Sequence, residues 1–252
     1  MTCVYLTKSL EYNFTSVFLA SNQIYICNKY LQKNKVTIKS KKQRALAVLS
    51  ELKTLYPDAV CSLDYETTVQ LLVATILSAQ CTDERVNKVT PRLFARFPDA
   101  PSLASANREE LETLIRSTGF FRNKAKNIQG ACHKIVTEFN SEVPQTMEEL
   151  LQLPGVARKT ANVVLAHGFG INEGVTVDTH VKRISHRLGL TKSDKPIQIE
   201  KDLMQLLPQP DWENYSIRIV YHGRAVCNAR KPKCDECQLA YLCPTFSVIS
   251  KQ

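Results

Sequence analysis

The stretch "LPGVARKTANVVL", residues 153–165, decides the fold. Pro154 and Gly155 mark a tight turn, and from Arg158 to about His167 the apolar residues recur at helical spacing. Upstream, Thr146 and Glu149 have the N-cap and N3 spacing of a capping box, so a short helix is predicted over 146–153. The unit is therefore a helix, a turn and a second helix. Gly155 supplies backbone freedom, and the residues after it, Val156, Ala157 and Arg158, should leave N–H groups free at the second helix's positive end. Such groups bind a phosphate without reading base sequence, although the same unit also serves as a plain connector in a bundle. Lys159 is not explained by either use.

The rest of the chain, from about Lys42, is also helical in pattern. Residues 66–79, "ETTVQLLVATILSA", are apolar almost all round, as in a helix at the centre of a bundle. Ile128, Ala131, Cys132, Ile135 and Phe139 form one apolar stripe, and Asn107 with Glu110 has the spacing of a further capping box. No convincing alternating strand is present, so the fold class is all-α. At 252 residues and 44% hydrophobic the chain can bury one large or two small cores. No window offers the roughly 20 apolar residues of a membrane-spanning helix, so no membrane partner is expected. The formal charge of +9 fits a partner carrying phosphates, and also fits a plain basic surface.

The nine cysteines are unevenly placed. Cys227, Cys234, Cys237 and Cys243 have the spacing C-x6-C-x2-C-x5-C, close enough for four thiolates to converge on a metal centre, zinc or iron–sulfur. Together with an odd total and no convincing secretory signal, this points to a reducing compartment. Residues 1–41 are basic, hydroxyl-rich and nearly acid-free, and a disordered extension is expected there. An organelle transit peptide is the other reading, although those favour arginine and the first here is Arg44.

"STGFFRNKA" (117–125) is similar to "LPGVARKTA" (153–161), with Gly, Arg and Ala at matched positions in Gly119, Arg122, Ala125 and Gly155, Arg158, Ala161. The first copy has Asn123 where the second has Lys159. The lysine is thus not needed to make the turn.

These motifs, with "VDTHVKR" (177–183), "LSAQCTD" (77–83), "YHGRAVC" (221–227) and the cysteine spacing, resemble the endonuclease III family of DNA glycosylases in the helix-hairpin-helix superfamily, over about residues 42–245. The resemblance implies two helical domains. One, over 63–171, holds six helices and the hairpin; the other joins 42–62 to 172–245 around a [4Fe-4S] cluster on Cys227, Cys234, Cys237 and Cys243, leaving 246–252 as a tail. It further implies that Lys159 and Asp178 are catalytic, that double-stranded DNA with damaged pyrimidines or abasic sites is the substrate, and that Gln80 and Phe120 fill the gap left by a flipped base. Phe120 departs from the family, where an aliphatic residue is common, and Ala157 stands where a second glycine is often found.

The chemistry agrees with these assignments. A lysine amine forms an imine with the sugar C1′, which a hydroxyl or carboxylate cannot do. The amine must be neutral to attack, and a positive helix end with Arg158 beside it favours that form. Asp178 suits a proton acceptor that stabilises positive charge on the sugar, and it also suits an N-cap for the following helix. His180 is read as structural or as a phosphate contact. Arg230, Lys231 and Lys233, between the first two clustered cysteines, are placed to face phosphates. The expected enzyme removes an oxidised pyrimidine and cuts 3′ to the abasic site by β-elimination, acting as a monomer in the nucleoid-containing cytoplasm, with organelle targeting left open. A mismatch adenine glycosylase and a non-catalytic DNA-binding module are the alternatives. The first would carry a glutamate before the Gln-containing turn, where this chain has "VATILSAQ".

Overall fold

In the computed structural model, which describes residues 40–246, eleven α-helices and four short 3-10 turns account for the regular structure, and no β-strand occurs among those residues. The helices are α1 (Lys41–Leu55), α2 (Thr68–Leu77), α3 (Asp83–Arg96), α4 (Ala100–Ala104), α5 (Arg108–Ile115), α6 (Phe121–Glu138), α7 (Met147–Leu150), α8 (Arg158–Phe169), α9 (Thr179–Arg187), α10 (Pro196–Leu206) and α11 (Trp212–Ala225). The expected basic extension, except for its last two residues, and the tail after 246 lie outside the described residues.

Helix α2 is the centre, as its composition predicts: Gln70 through Leu77 are all buried. It packs on α6 and α8, and one apolar core runs through the helices from Leu63 to Leu165. In α6 the predicted stripe is buried at Ile128, Ala131, Cys132 and Ile135, with Phe139 half-buried at its end. Both ends of the described chain meet elsewhere. Helix α1 packs on α10 and α11, Lys53 pairs with Asp211 at 2.7 Å, and Arg218 Nε donates to the Tyr56 carbonyl at 3.1 Å.

The two expected capping boxes are half-formed. Asn107 accepts from the Glu110 N–H at 3.0 Å, but the Glu110 carboxylate goes to Arg96 at 2.6 Å rather than back to the cap. Thr146 likewise accepts from the Glu149 N–H, and the Glu149 carboxylate takes the Thr146 hydroxyl instead. A complete box, not anticipated from sequence, starts α4 between Asp99 and Ser102.

The hairpin between α7 and α8 depends on Gly155. Its φ is +79, and a Cβ there would lie 2.7 Å from the Asn127 Cβ on α6. Gly119, its counterpart in the first copy, also has positive φ, at +72, but has open space around it. Ala157 has φ −101 and ψ 170, extended backbone that any residue adopts, so a second glycine is not required there. Helix α8 is held from its other side by an ion pair. Arg158 Nε donates to the Glu200 carboxylate at 2.6 Å, and Asn162 Nδ2 donates to its other oxygen at 2.9 Å. Glu200 is buried, whereas Arg158 is partly exposed.

Two predictions come from these contacts. Gly119→Ala should cost about 1 kcal/mol, the penalty of left-handed backbone alone, while Gly155→Ala should cost roughly 2–4 kcal/mol because the Asn127 clash is added. Chemical denaturation checks this, and equal losses would contradict it. Arg158→Ala should cost about 2–3 kcal/mol by leaving a buried carboxylate short of donors. Adding Glu200→Gln to that variant should then raise stability, the sign opposite to what a simple loss of contacts gives.

Candidate active site

Helix α8 begins at Arg158, with Ala157 as N-cap and no side chain capping it. The N–H groups of Arg158, Lys159 and Thr160 therefore have no acceptor within the helix. Gly155 and Ala157 likewise donate to no backbone carbonyl among the described residues, but Val156 donates to the Leu153 carbonyl at 3.1 Å. Its side chain is buried in the core. Val156 thus anchors the turn rather than offering an N–H, which corrects the expectation that every residue after Gly155 leaves its donor open. The reason is geometric: a turn tight enough to reverse the chain closes one of its own hydrogen bonds.

Lys159 is exposed and makes no hydrogen bond or ion pair among the described residues. It lines a cavity of about 250 Å³ together with Asp178. Asp178 is the N-cap of α9: its Oδ1 accepts from the Val181 N–H at 2.7 Å. No hydrogen bond among the described residues takes Oδ2. The capping and chemical readings of this residue are thus compatible, one oxygen serving the helix and the other facing no protein donor.

His180, two residues on, is half-buried and accepts from Arg183 Nη2 at 3.1 Å through its Nδ1. Burial pulls its pKa below the ordinary histidine range; Asp178 opposes this, while Arg183, Arg224 and Lys159 add to it. The ring sits against Gly223 of α11, where any Cβ would collide with Nδ1. That contact accounts for the glycine in "YHGRAVC".

The cavity has a floor that the motifs did not announce. Glu213, on α11, is buried; one carboxylate oxygen accepts from the Thr176 hydroxyl at 2.6 Å and the other lies 3.2 Å from His167 Nε2. The signal was an acid on the helical stripe Glu213, Ser216 and Val220, all of which line the cavity. On the same lining, Arg224 pairs with Asp83 at 3.2 Å.

Gln80 and Phe120 are both exposed, Phe120 to 63%. Core packing is therefore not its role. Each holds a left-handed backbone, with φ 52 and 48. Ser78 and Cys81, flanking Gln80, line the Lys159 cavity; Phe120 does not.

The four clustered cysteines share a separate, apolar cavity of about 30 Å³, and none is in a disulfide. Among the described residues no three His, Cys, Asp or Glu side chains are grouped to hold one metal ion. Arg187 of α9 organises the loop: it donates to Cys227 Sγ at 3.2 Å and to the carbonyls of Asn228 and Ala229 at 2.8 Å each. Arg183 adds a bond to the Cys227 carbonyl at 3.0 Å. Arg230, Lys231 and Lys233 are exposed on that loop and do not line the Lys159 cavity.

Comparison with known proteins places the chain in a family. Residues 73–209 match the HhH-GPD superfamily of base excision DNA repair proteins. The endonuclease III of Synechocystis sp. is 77% identical over 206 residues, 82% of this chain and 94% of the relative. That of Bacillus subtilis is 43% identical over 196 residues, 77% of this chain and 89% of the relative. A solved structure of a non-covalent endonuclease III–DNA complex superposes with a TM-score of 0.80 at 42% identity, covering 84% of this chain and 99% of that one. A trapped endonuclease III–DNA covalent intermediate gives 0.79 at 43% identity, covering 82% and 97%. The chain, with its hairpin, its cavity-lining lysine and aspartate and its cysteine loop, belongs to the endonuclease III family of the HhH-GPD superfamily.

Proposed function

We propose that this base-excision repair glycosylase and lyase removes oxidised pyrimidines from double-stranded DNA and then cuts the strand 3′ to the abasic site, with Lys159 as nucleophile. The observation that carries the reading is the unpaired Lys159 amine sharing one cavity with the Asp178 carboxylate. At about 250 Å³ that cavity suits a single ring rather than a drug-sized ligand. The base leaves the stack to enter it. Gln80 and Phe120, exposed on their loops, fill the space left behind, and the aromatic ring of Phe120 stacks there as an aliphatic side chain would wedge.

The free N–H groups at the start of α8 hold a backbone phosphate, and the exposed Arg230, Lys231 and Lys233 meet others. Lys159 Nζ attacks C1′ and the damaged base departs with the glycosidic electron pair. Asp178 accepts the proton released from the amine and stabilises positive charge on the sugar. The nitrogen lone pair then opens the sugar ring, C1′–O4′ breaking as O4′ takes the proton held by Asp178, to give the imine; loss of a C2′ proton from it expels the 3′ phosphate oxygen, and water hydrolyses the imine to release Lys159. Helix α2 contributes Thr75, and its C-cap Ser78, to the cavity but no carboxylate, as suits a mechanism whose nucleophile is an amine.

The four thiols fit a [4Fe-4S] cluster: they surround one apolar cavity and none is in a disulfide. When bound, the cluster supplies a rigid cross-link for the loop. Arg187 donates to a ligand sulfur and fixes the loop carbonyls, so the basic residues keep their place. The enzyme works as a monomer in the reducing compartment that holds the DNA.

Borohydride trapping on duplexes carrying thymine glycol, dihydrouracil or an abasic site tests this. Wild type should form a covalent adduct. Lys159→Ala should form none and lose strand cleavage by roughly a thousandfold or more. Asp178→Asn should keep the α9 cap and hence thermal stability, since Asn caps as well as Asp, yet slow base removal about 10²- to 10⁴-fold. Trapping and cutting by Lys159→Ala at the wild-type rate would sink the reading.

A further inference from the structure

Gln80 and Phe120 carry the same local strain, each a non-glycine residue in the left-handed region. Side chains persist there only when the surrounding chain over-determines the backbone. In both loops the flank is held by one side chain. Lys124 of α6 is 4% exposed, and its ammonium donates to the carbonyls of Leu77 and Thr118, 2.8 Å each. Leu77 ends α2, three residues before Gln80; Thr118 ends the 3-10 turn Arg116–Thr118, two residues before Phe120.

Both acceptors suit a cation. Leu77 is one of the last carbonyls of α2, at the negative end of a buried helix. No carboxylate pairs with Lys124 among the described residues; its charge faces the two carbonyl dipoles and the nearby Cys81. Keeping an ammonium in such a place is costly, and an apolar side chain would fill the volume more cheaply. What the apolar side chain could not do is join two loops that are 40 residues apart in sequence, from Gln80 to Phe120.

We propose that Lys124 is a positioning residue that sets the spacing of the Gln80 and Phe120 loops, so that both side chains enter a duplex together. The inference rests on the insertion role given to those two residues above. Lys124 does not line the Lys159 cavity, so it acts on opening the duplex and not on the chemistry.

The test uses the full chain with abasic-site DNA in two forms, duplex and single-stranded, because a single strand needs no filled gap. Lys124→Met removes the staple, and Lys124→Gln, which keeps amide donors, serves if the first variant folds poorly. Ile128→Val, one turn along α6, controls for lost stability, with all rates taken below every melting transition. For the Lys124 variant, duplex cleavage should fall about 10- to 100-fold while single-strand cleavage stays within about twofold of wild type. Fluorescence of 2-aminopurine opposite the abasic site should report an unperturbed partner base. Equal losses on both substrates, or none on either, would overturn the proposal. Gln80→Ala with Phe120→Ala identifies the failing premise. If that double variant keeps the duplex rate, the insertion reading falls and the staple with it; if it loses the rate while Lys124→Met keeps it, only the staple falls.

Discussion

The close approach of Gly155 to Asn127 is the constraint on which the site depends. With no side chain at 155, the hairpin turn lies directly on α6, and the positive φ that glycine allows sends the chain into α8 at once. From the other side Glu200 grips Arg158, the first residue of that helix, and Asn162 one turn later. A helix fixed at its first turn on two sides cannot roll. Its second residue is Lys159, so the lysine side chain springs from a fixed point.

Much of this was legible. An apolar stretch with no polar face announced α2 as the central helix, and Pro154–Gly155 between helical patterns announced the hairpin. The lysine-free copy at Gly119 suggested that the turn needs no lysine, but the copies are not equivalent: Phe120 is left-handed where Val156 is not, and one glycine is needed for backbone and space, the other for backbone only. What periodicity could not reveal were pairings between distant segments. Arg158 reads locally as a cation beside Lys159, yet its charge is matched by Glu200, 42 residues later. Glu110 and Glu149 had the spacing to close capping boxes, and each found a nearer or stronger partner instead. Glu213 and Lys124 are ionisable residues in otherwise ordinary helical patterns. Only the fold brings Thr176, Leu77 and Thr118 to them.

The distribution of acids shows a common logic. Glu200 and Glu213 are both buried near α8, and both have their oxygens occupied by internal donors. Asp83 is taken by Arg224 and Ser62. Asp178 gives one oxygen to the α9 cap, and its other oxygen, like Oδ1 of Asp83, takes no donor among the described residues. None of these carboxylates pairs with Lys159 among the described residues. A resting ion pair would hold the amine as ammonium and blunt the attraction of the helix end for an anion, so its absence suits both roles proposed for this helix start.

Helix geometry explains why the lysine follows the anchor by so few residues. In an α-helix the Cα–Cβ bond tilts toward the N-terminus, so the side chain of the second residue projects back over the helix start. The same start carries the open N–H groups proposed above to hold a phosphate. A lysine one or two turns further along would leave this end of the helix, and one before the turn would have no helix to direct it. On the function proposed above, position 159 is therefore where a backbone grip and a nucleophile can serve the same nucleotide, the N–H groups toward a phosphate and the amine toward a sugar carbon. Ala157 fits the same account: as an N-cap in extended backbone it leaves the helix start open to an anion, and it needs no unusual φ.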